Sequence, residues 1–298
     1  MSARKLTTGG ADGPVVPDPR LLKALLALVQ QRAGVQQRAG VQQRAGAGLT
    51  VIGLCGAQGA GKSTLVAALA GALEDGGLPT AVLSLDDLYL TRSERRGLAA
   101  QVHPLLATRG VPGTHDVALG LAVVAALEQG KAAALPRFDK AADDRADERD
   151  WPVAAADTRV LLLEGWCVGA RPQAAAALAD PVNALEARED PDGIWRGHVN
   201  AALAGEYQRL FARLDALVLL AAPGWDVVAR WREQQEAELR ARSGPAAAGV
   251  MTPDQVTRFI AHYERLTRHI LAEMPPRADL LVRLGAAREV LALTCRSA

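Results

Sequence analysis

Cysteine is scarce in this chain. The 298 residues hold only Cys55, Cys167 and Cys295, an odd number without a CxxC pair. That argues against a disulfide framework and a cysteine-based zinc cluster, and it suits a reducing compartment. Neither sign of charge is in excess: 34 Lys and Arg stand against 33 Asp and Glu, a net charge of +1. Nothing therefore points to a nucleic-acid surface or a polybasic membrane patch. No apolar run reaches the roughly 18 residues of a spanning helix. The N-terminal stretch "MSARKLTTGGADGPVVPDP" has no apolar core of the kind a signal peptide carries. A cytoplasmic protein without nucleic-acid or membrane partners is the expectation. Lysine is rare as well, confined to Lys5, Lys23, Lys62, Lys131 and Lys140. A lysine inside a motif therefore carries more information than usual.

What is present falls into two parts. Residues 1–48 comprise a Gly- and Pro-rich tail expected to be disordered, a helix and a repeat. The helix opens at Asp18-Pro19, and Leu21, Leu22, Leu25, Leu26 and Val29 follow at helical spacing. The repeat is "VQQRAG", three times over residues 29–46. A six-residue step turns a helix by about 600°, so its valines share no face, and each copy carries a glycine that costs a helix about 1 kcal/mol. It reads as a duplicated spacer. From residue 49 to 298 short apolar runs alternate with helical stretches. The runs are "LTVIGLC" (49–55), "TAVLSL" (80–85), "RVLLLE" (159–164), "DALVLLA" (215–221) and "ADLLVRL" (278–284). Continuous apolar strands separated by helices predict a parallel sheet covered on both faces. Residues 86–158, rich in Arg, Asp and His, lie where an α/β sheet binds its substrate. Two long helices are predicted near the end, at 226–242 and at 252–271. The second opens on Thr252, Pro253 and Gln255, a capping box with proline in the first turn.

The strongest motif is "GAQGAGKST", residues 56–64, which fits G-x-x-x-x-G-K-[ST] between a predicted strand and a predicted helix. Gly56, Ala57, Gln58, Gly59, Ala60, Gly61, Lys62, Ser63 and Thr64 would wrap phosphates with backbone N–H groups, helped by the helix N-terminus. Lys62 would reach the β- and γ-phosphates and Ser63 would ligate Mg2+. "VLLLEGW" (160–166) ends an apolar strand on Glu164, a position suited to orienting the metal or its water. "SLDDLY" (84–89) ends another strand on Asp86 and Asp87. By itself this pair reads as a cap. Beside a phosphate loop, one carboxylate can accept the proton of a hydroxyl and orient it for in-line attack, leaving the other to cap. The histidines do not suggest metal ligands, because Mg2+ prefers oxygen. His262 and His269, on the last long helix, read as structural.

"GAQGAGKST", "SLDDLYLT", "LLATRGVPGTHD", "LPRFDKAADDRAD", "LLLEGWCVGARP", "VNAALAGEY" and "ARWREQQEAELR" occur in this order. Together they resemble the plant-type D-glycerate 3-kinases and their microbial relatives, within the P-loop small-molecule kinases that include uridine kinase, phosphoribulokinase and pantothenate kinase. The likeness covers roughly residues 50–285. It implies a three-layer α/β/α P-loop NTPase fold with a five-stranded parallel sheet in the order 2-3-1-4-5, plus a helical lid over 226–250. It implies ATP and Mg2+ and a small-molecule acceptor, glycerate, phosphorylated on its primary hydroxyl. It makes Asp86 the base, with Lys62 and the lid residues Arg230 and Arg232 acting on the transferring phosphoryl. Asp87, Tyr89, Arg109, Thr114, His115, Asp116, Arg137, Lys140 and Arg145 fall in the acceptor-binding segments. A glycerate carboxylate calls for a cation, preferably a bidentate arginine, and Arg109, Arg137 and Arg145 all qualify. The interval between "PRFDK" and "DRAD" is shorter than in the plant enzymes, so the loop over the acceptor is expected to differ. Two alternatives stay open: a kinase for another hydroxylated metabolite, pantothenate- or uridine-like, and a nucleotide-switch ATPase without an acceptor.

Overall fold

The five apolar runs become strands, and a sixth joins them. In the computed structural model, β1 (Thr50–Gly56), β2 (Thr80–Ser84), β3 (Val160–Gly165), β4 (Ala216–Ala221), β5 (Leu280–Leu284) and β6 (Val290–Cys295) form one sheet in the order β2-β3-β1-β4-β5-β6. The first five are parallel and β6 pairs antiparallel with β5. The expected 2-3-1-4-5 order is thus the core of a six-stranded sheet. The sixth strand escaped sequence reading because it is an edge strand whose residues are mostly exposed, so no continuous apolar run marks it. The structure describes residues 17–38, 48–243 and 251–296. Most of the predicted tail (1–16), the later part of the repeat with the residue after it (39–47) and the end of the lid region (244–250) lie outside the described residues.

Nine α-helices are seen among the described residues. They are α1 (Pro19–Arg38), α2 (Lys62–Asp75), α3 (Arg92–Gln101), α4 (Val117–Glu128), α5 (Ala184–Glu189), α6 (Ile194–Ala202), α7 (Gln208–Phe211), α8 (Trp225–Ser243) and α9 (Pro253–Glu273). Strand residues alternate between two cores, as the period of two requires. Ile52 and Leu54 of β1 and Leu162 of β3 join α1 and α2 on one face. Val51, Cys55, Leu161 and Leu163 join α4 and α9 on the other. The capping box that starts α9 is present: the Thr252 side chain accepts from the Gln255 N–H, and the Gln255 side chain accepts from Thr252 N. No helix among the described residues is long and apolar enough to cross a membrane.

The boundary between helix and spacer moves. α1 continues through the first repeat copy to Arg38 instead of ending before it. Leu21, Leu25 and Val29 are buried against the sheet, and the Arg32 guanidinium reaches Asp279 at 2.6 Å. Burying those side chains, at about 1.5–3 kcal/mol each, outweighs the helix cost of Gly34. The helix thus packs against the sheet through Leu21, Leu25 and Val29.

Candidate active site

The register of three neighbouring strands assembles the site. Glu164 of β3 lies level with Leu54 of β1 and with Ser84 of β2. Side chains at one level of parallel strands point the same way, and the Ser84 hydroxyl donates to Glu164 Oε1 at 2.7 Å. Beyond Leu54 the chain enters the phosphate loop, and beyond Ser84 it enters a short 3-10 turn, Leu85–Leu88. The P-loop, Glu164 and Asp86 thus meet at the carboxyl edge of the sheet, where α/β folds bind ligands.

The P-loop has the geometry its motif demands. Gly61 is the N-cap of α2 at φ +83°, with no side chain capping the helix. A residue with a Cβ is strained at that φ. The first N–H groups of α2 therefore have no side-chain acceptor, an arrangement that suits an anion. Ser63 and Thr64 are exposed at that end. The Lys62 ammonium lies 3.2 Å from the Ala57 carbonyl.

The two aspartates separate cleanly. Asp87 is spent on the fold: Oδ1 accepts from Phe138 N at 3.0 Å and Oδ2 meets Arg137 Nη1 at 3.3 Å. Burial pushes its carboxyl up, only partly countered by the Phe138 N–H, Arg137 and Lys140. Asp86 instead receives the Tyr89 hydroxyl at 2.8 Å and the Lys140 ammonium at 2.6 Å. Burial alone would raise its carboxyl. The charge and hydrogen bond of Lys140, the Tyr89 hydroxyl and the more distant Lys62 outweigh it and hold the group below the usual carboxylate range. Asp86 is therefore ionised through neutral and mildly acidic pH, as a proton acceptor must be. The sign of a perturbation follows. With Lys140→Met burial is no longer opposed by that cation, so the Asp86 carboxyl rises. The acid limb of the kcat/KM profile should then move to higher pH. A limb that stays in place would show that another group controls it.

The acceptor segment folds over this edge as α3, α4 and two small ribbons, Ala133–Ala134 with Val153–Ala154 and Phe138–Asp139 with Asp144–Arg145. Tyr89 stacks on His115 with ring centroids 4.6 Å apart. Burial lowers His115 to about 3, so the ring is neutral. Its Nδ1 lies 2.6 Å from the Tyr207 hydroxyl and its buried Nε2 has no partner among the described residues. Two predicted substrate residues turn out to shape the loop. Thr114 is fully buried, and its hydroxyl accepts from Gly110 N and donates to Val111 O. Asp116 caps α4 through Leu119 N and pairs with Arg145 at 3.1 Å. Both signatures lie in "GTHD", but a hydroxyl consumed by its own loop looks the same in sequence as one facing a ligand.

The three arginines are not equivalent. Arg145 is committed to Asp116 and the Tyr89 carbonyl. Arg109 pairs with Asp143 and lies 5.5 Å over the Phe138 ring. Arg137 is the most exposed of the three and holds Asp87 only through Nη1. Sequence reading missed Asp143, which also takes Arg95 at 2.7 Å and so gathers the acceptor segment around one carboxylate. Asp143 has φ +55°, an irregular turn position without a sequence signature. It also missed Arg288, whose Nε donates to the Gly59 carbonyl at 2.7 Å from the turn between β5 and β6.

The lid arginines separate by helical geometry. Two residues along an α-helix is a turn of about 200°, so Arg230 and Arg232 cannot close on one phosphoryl together. Between them Trp231 packs its Cβ on Gly59 and roots α8 on the P-loop. Arg230 is exposed and 3.5 Å from Asp226. Arg232 is mostly buried, held by Glu236 at 2.9 Å, and lies over the Phe259 ring of α9. The two arginines expected to act together thus lie on different faces of α8, Arg230 toward solvent and Arg232 toward α9.

No family model matches the chain. It is 37% identical over 225 residues to the uncharacterised kinase mug58 of Schizosaccharomyces pombe, covering 72% of this chain and 78% of that protein. It is 31% identical over 239 residues to the chloroplastic D-glycerate 3-kinase of Arabidopsis thaliana. That match covers 77% of this chain but only 50% of the plant protein. Among solved structures, D-glycerate 3-kinase from Cryptococcus neoformans var. grubii matches with a TM-score of 0.78 at 25% identity, over 94% of this chain and 100% of that one. The YGR205w protein matches in fold with a TM-score of 0.71 at 24% identity, over 93% and 99%.

Proposed function

The chain belongs to the family of P-loop kinases that contains the D-glycerate 3-kinases, and from that premise we propose that it phosphorylates the primary hydroxyl of D-glycerate with ATP, giving 3-phosphoglycerate and ADP. The observation that carries this reading is the Asp86 carboxylate at the same sheet edge as the P-loop, paired with Lys140 of the acceptor segment. Asp86 accepts the hydroxyl proton and aims the oxygen at the γ-phosphorus. Lys140 keeps that carboxylate charged. Arg137, the least committed guanidinium, pairs with the glycerate carboxylate, where a planar fork fits best. Lys62 and Arg232 neutralise the charge spread over the transferring phosphoryl.

The donor set also suits Mg2+, which takes oxygen ligands and keeps several waters. Ser63 is exposed beside the P-loop N–H groups, and the Glu164 carboxylate is fixed in orientation by the Ser84 hydroxyl. Among the described residues no cluster of three His, Cys, Asp or Glu side chains could hold a metal alone, so phosphate oxygens would complete the site. The ion would supply charge neutralisation on the β- and γ-phosphates. The test of the acceptor is a panel: purified protein with Mg·ATP, offered D-glycerate, L-glycerate, pantothenate and uridine in turn. ADP should form rapidly with D-glycerate and slowly without an acceptor. Turnover with another acceptor alone would overturn glycerate and keep the kinase. Hydrolysis indifferent to every acceptor would overturn both.

A further inference from the structure

We propose that Arg288 is a positioning residue that holds the P-loop in its phosphate-binding shape and ties it to the lid helix, and this rests on the P-loop reading above. Arg288 belongs to the turn between β5 and β6, outside every motif of the site and 229 residues beyond Gly59 in the chain. Its half-buried guanidinium makes three contacts there. Nε donates to the Gly59 carbonyl at 2.7 Å. Nη1 donates to the Gln234 side-chain oxygen of α8 at 3.0 Å. The cation lies 5.2 Å from the centre of the Trp231 ring. One rigid fork therefore touches the P-loop and two residues of the lid helix.

The contact with Gly59 reaches the working part of the loop. Gly59 has φ +78°, and a Cβ there would fall 2.8 Å from Trp231 Cβ, so the tip of the loop can be held only by its backbone. A peptide unit is planar and trans, so a hydrogen bond to the Gly59 oxygen also sets the direction of the Ala60 N–H. That N–H donates to the Ala57 carbonyl at 3.2 Å, and the same carbonyl accepts from the Lys62 ammonium at 3.2 Å. Hydrogen bonds joined through one peptide unit thus run from Arg288 to the lysine of the motif. A P-loop binds through the direction of its N–H groups. A side chain that fixes a peptide plane of the loop before any phosphate arrives lowers the ordering cost of binding.

The turn is built to deliver this side chain. Trp231 Nε1 donates to the Ala286 carbonyl at 2.7 Å and docks the turn on α8. Arg288 itself sits at φ +70°, a left-handed conformation uncommon for a residue with a Cβ. Glycine would adopt it without strain. The backbone of the turn therefore does not call for arginine, and what the arginine adds is its grip on the P-loop. Trp231 directly precedes Arg232, so the same cluster sets where that arginine stands relative to the loop.

Arg288→Gly tests this, because it removes the side chain and relieves the backbone. Mg·tripolyphosphate, which has no base or sugar, is titrated into the protein alongside Mg·ADP. In Arg288→Gly both should bind at least about fivefold more weakly, less than the full weight of one hydrogen bond to a charged group. The melting temperature without ligand should stay at or above that of the wild type. Arg288→Lys, which keeps a cation but not the fork, should recover part of the loss. Unchanged tripolyphosphate affinity in Arg288→Gly would overturn the proposal. Weakening confined to ADP would overturn it too, making Arg288 a contact of the base or sugar. A loss accompanied by a lower melting temperature would mark a merely structural role and have the same result. A wild-type chain that binds no tripolyphosphate would remove the P-loop reading and this proposal with it. No acceptor is present in these titrations, so a glycerate-negative acceptor panel leaves them unchanged and the two readings fail separately.

Discussion

Asp86→Asn lowers kcat by about 10²–10⁴-fold, the usual weight of a general base, while the affinity for ATP stays close to wild type. The amide keeps the shape of the carboxylate and can still accept the Tyr89 hydroxyl, now 2.8 Å from Oδ1. It cannot accept a proton or pair with the Lys140 ammonium. The P-loop is built from separate residues, so nucleotide binding, measured by titration with ADP, is the internal control. Asp87→Asn is the comparison. An asparagine there still accepts from Phe138 N and loses only charge toward Arg137, so activity should fall by less than about tenfold, or about 1.4 kcal/mol, the scale of one ordinary net hydrogen bond. If Asp87→Asn is the crippled enzyme and Asp86→Asn the mild one, the assignment of the base is reversed.

Lys62→Ala removes turnover with every acceptor, by at least about 10²–10³-fold, the cost of deleting one preorganised charge from a transition-state site. The side chain is partly exposed and its one hydrogen bond in the structure is to the Ala57 carbonyl. Its loss should therefore leave the fold and melting temperature nearly unchanged. A second effect is smaller and has a known sign. Lys62 also helps hold the Asp86 carboxyl down, so its removal moves the acid limb of any residual activity upward. An alanine variant that keeps a tenth or more of wild-type kcat would show that the motif is not a working P-loop.

The parts of the site that were legible in the sequence share a property: their chemistry depends on local spacing. A glycine at φ +83°, a lysine one residue on and a helix start need only neighbours in the chain, and so does the capping box at Thr252. The apolar runs that became β1 to β5 are legible for the same reason, since a buried parallel strand is apolar on both faces. β6 was not, because an edge strand half in solvent has no such pattern. The choice of Asp86 over Asp87 followed from the family's motif. Its physical basis, Lys140 against one carboxylate and Phe138 N–H against the other, lies some fifty residues away in the chain.

By itself the sequence determined the fold class, the phosphate-binding loop and the set of charged residues available to an acceptor. Which of those residues stay accessible and which are committed to the fold was decided only by the tertiary structure. Thr114, Asp116 and Arg145 satisfy one another or their own loop, whereas Arg137, beside Asp87, and Lys140, beside Asp86, keep partly exposed cationic groups. The reason is that the large majority of buried polar groups find a partner, and partners are assigned by three-dimensional proximity. Arg230 and Arg232 were parted by the pitch of a helix docked through Trp231 on Gly59. Tyr263, in a helix with no motif, was brought to the Arg109 carbonyl and the Trp166 ring by packing alone.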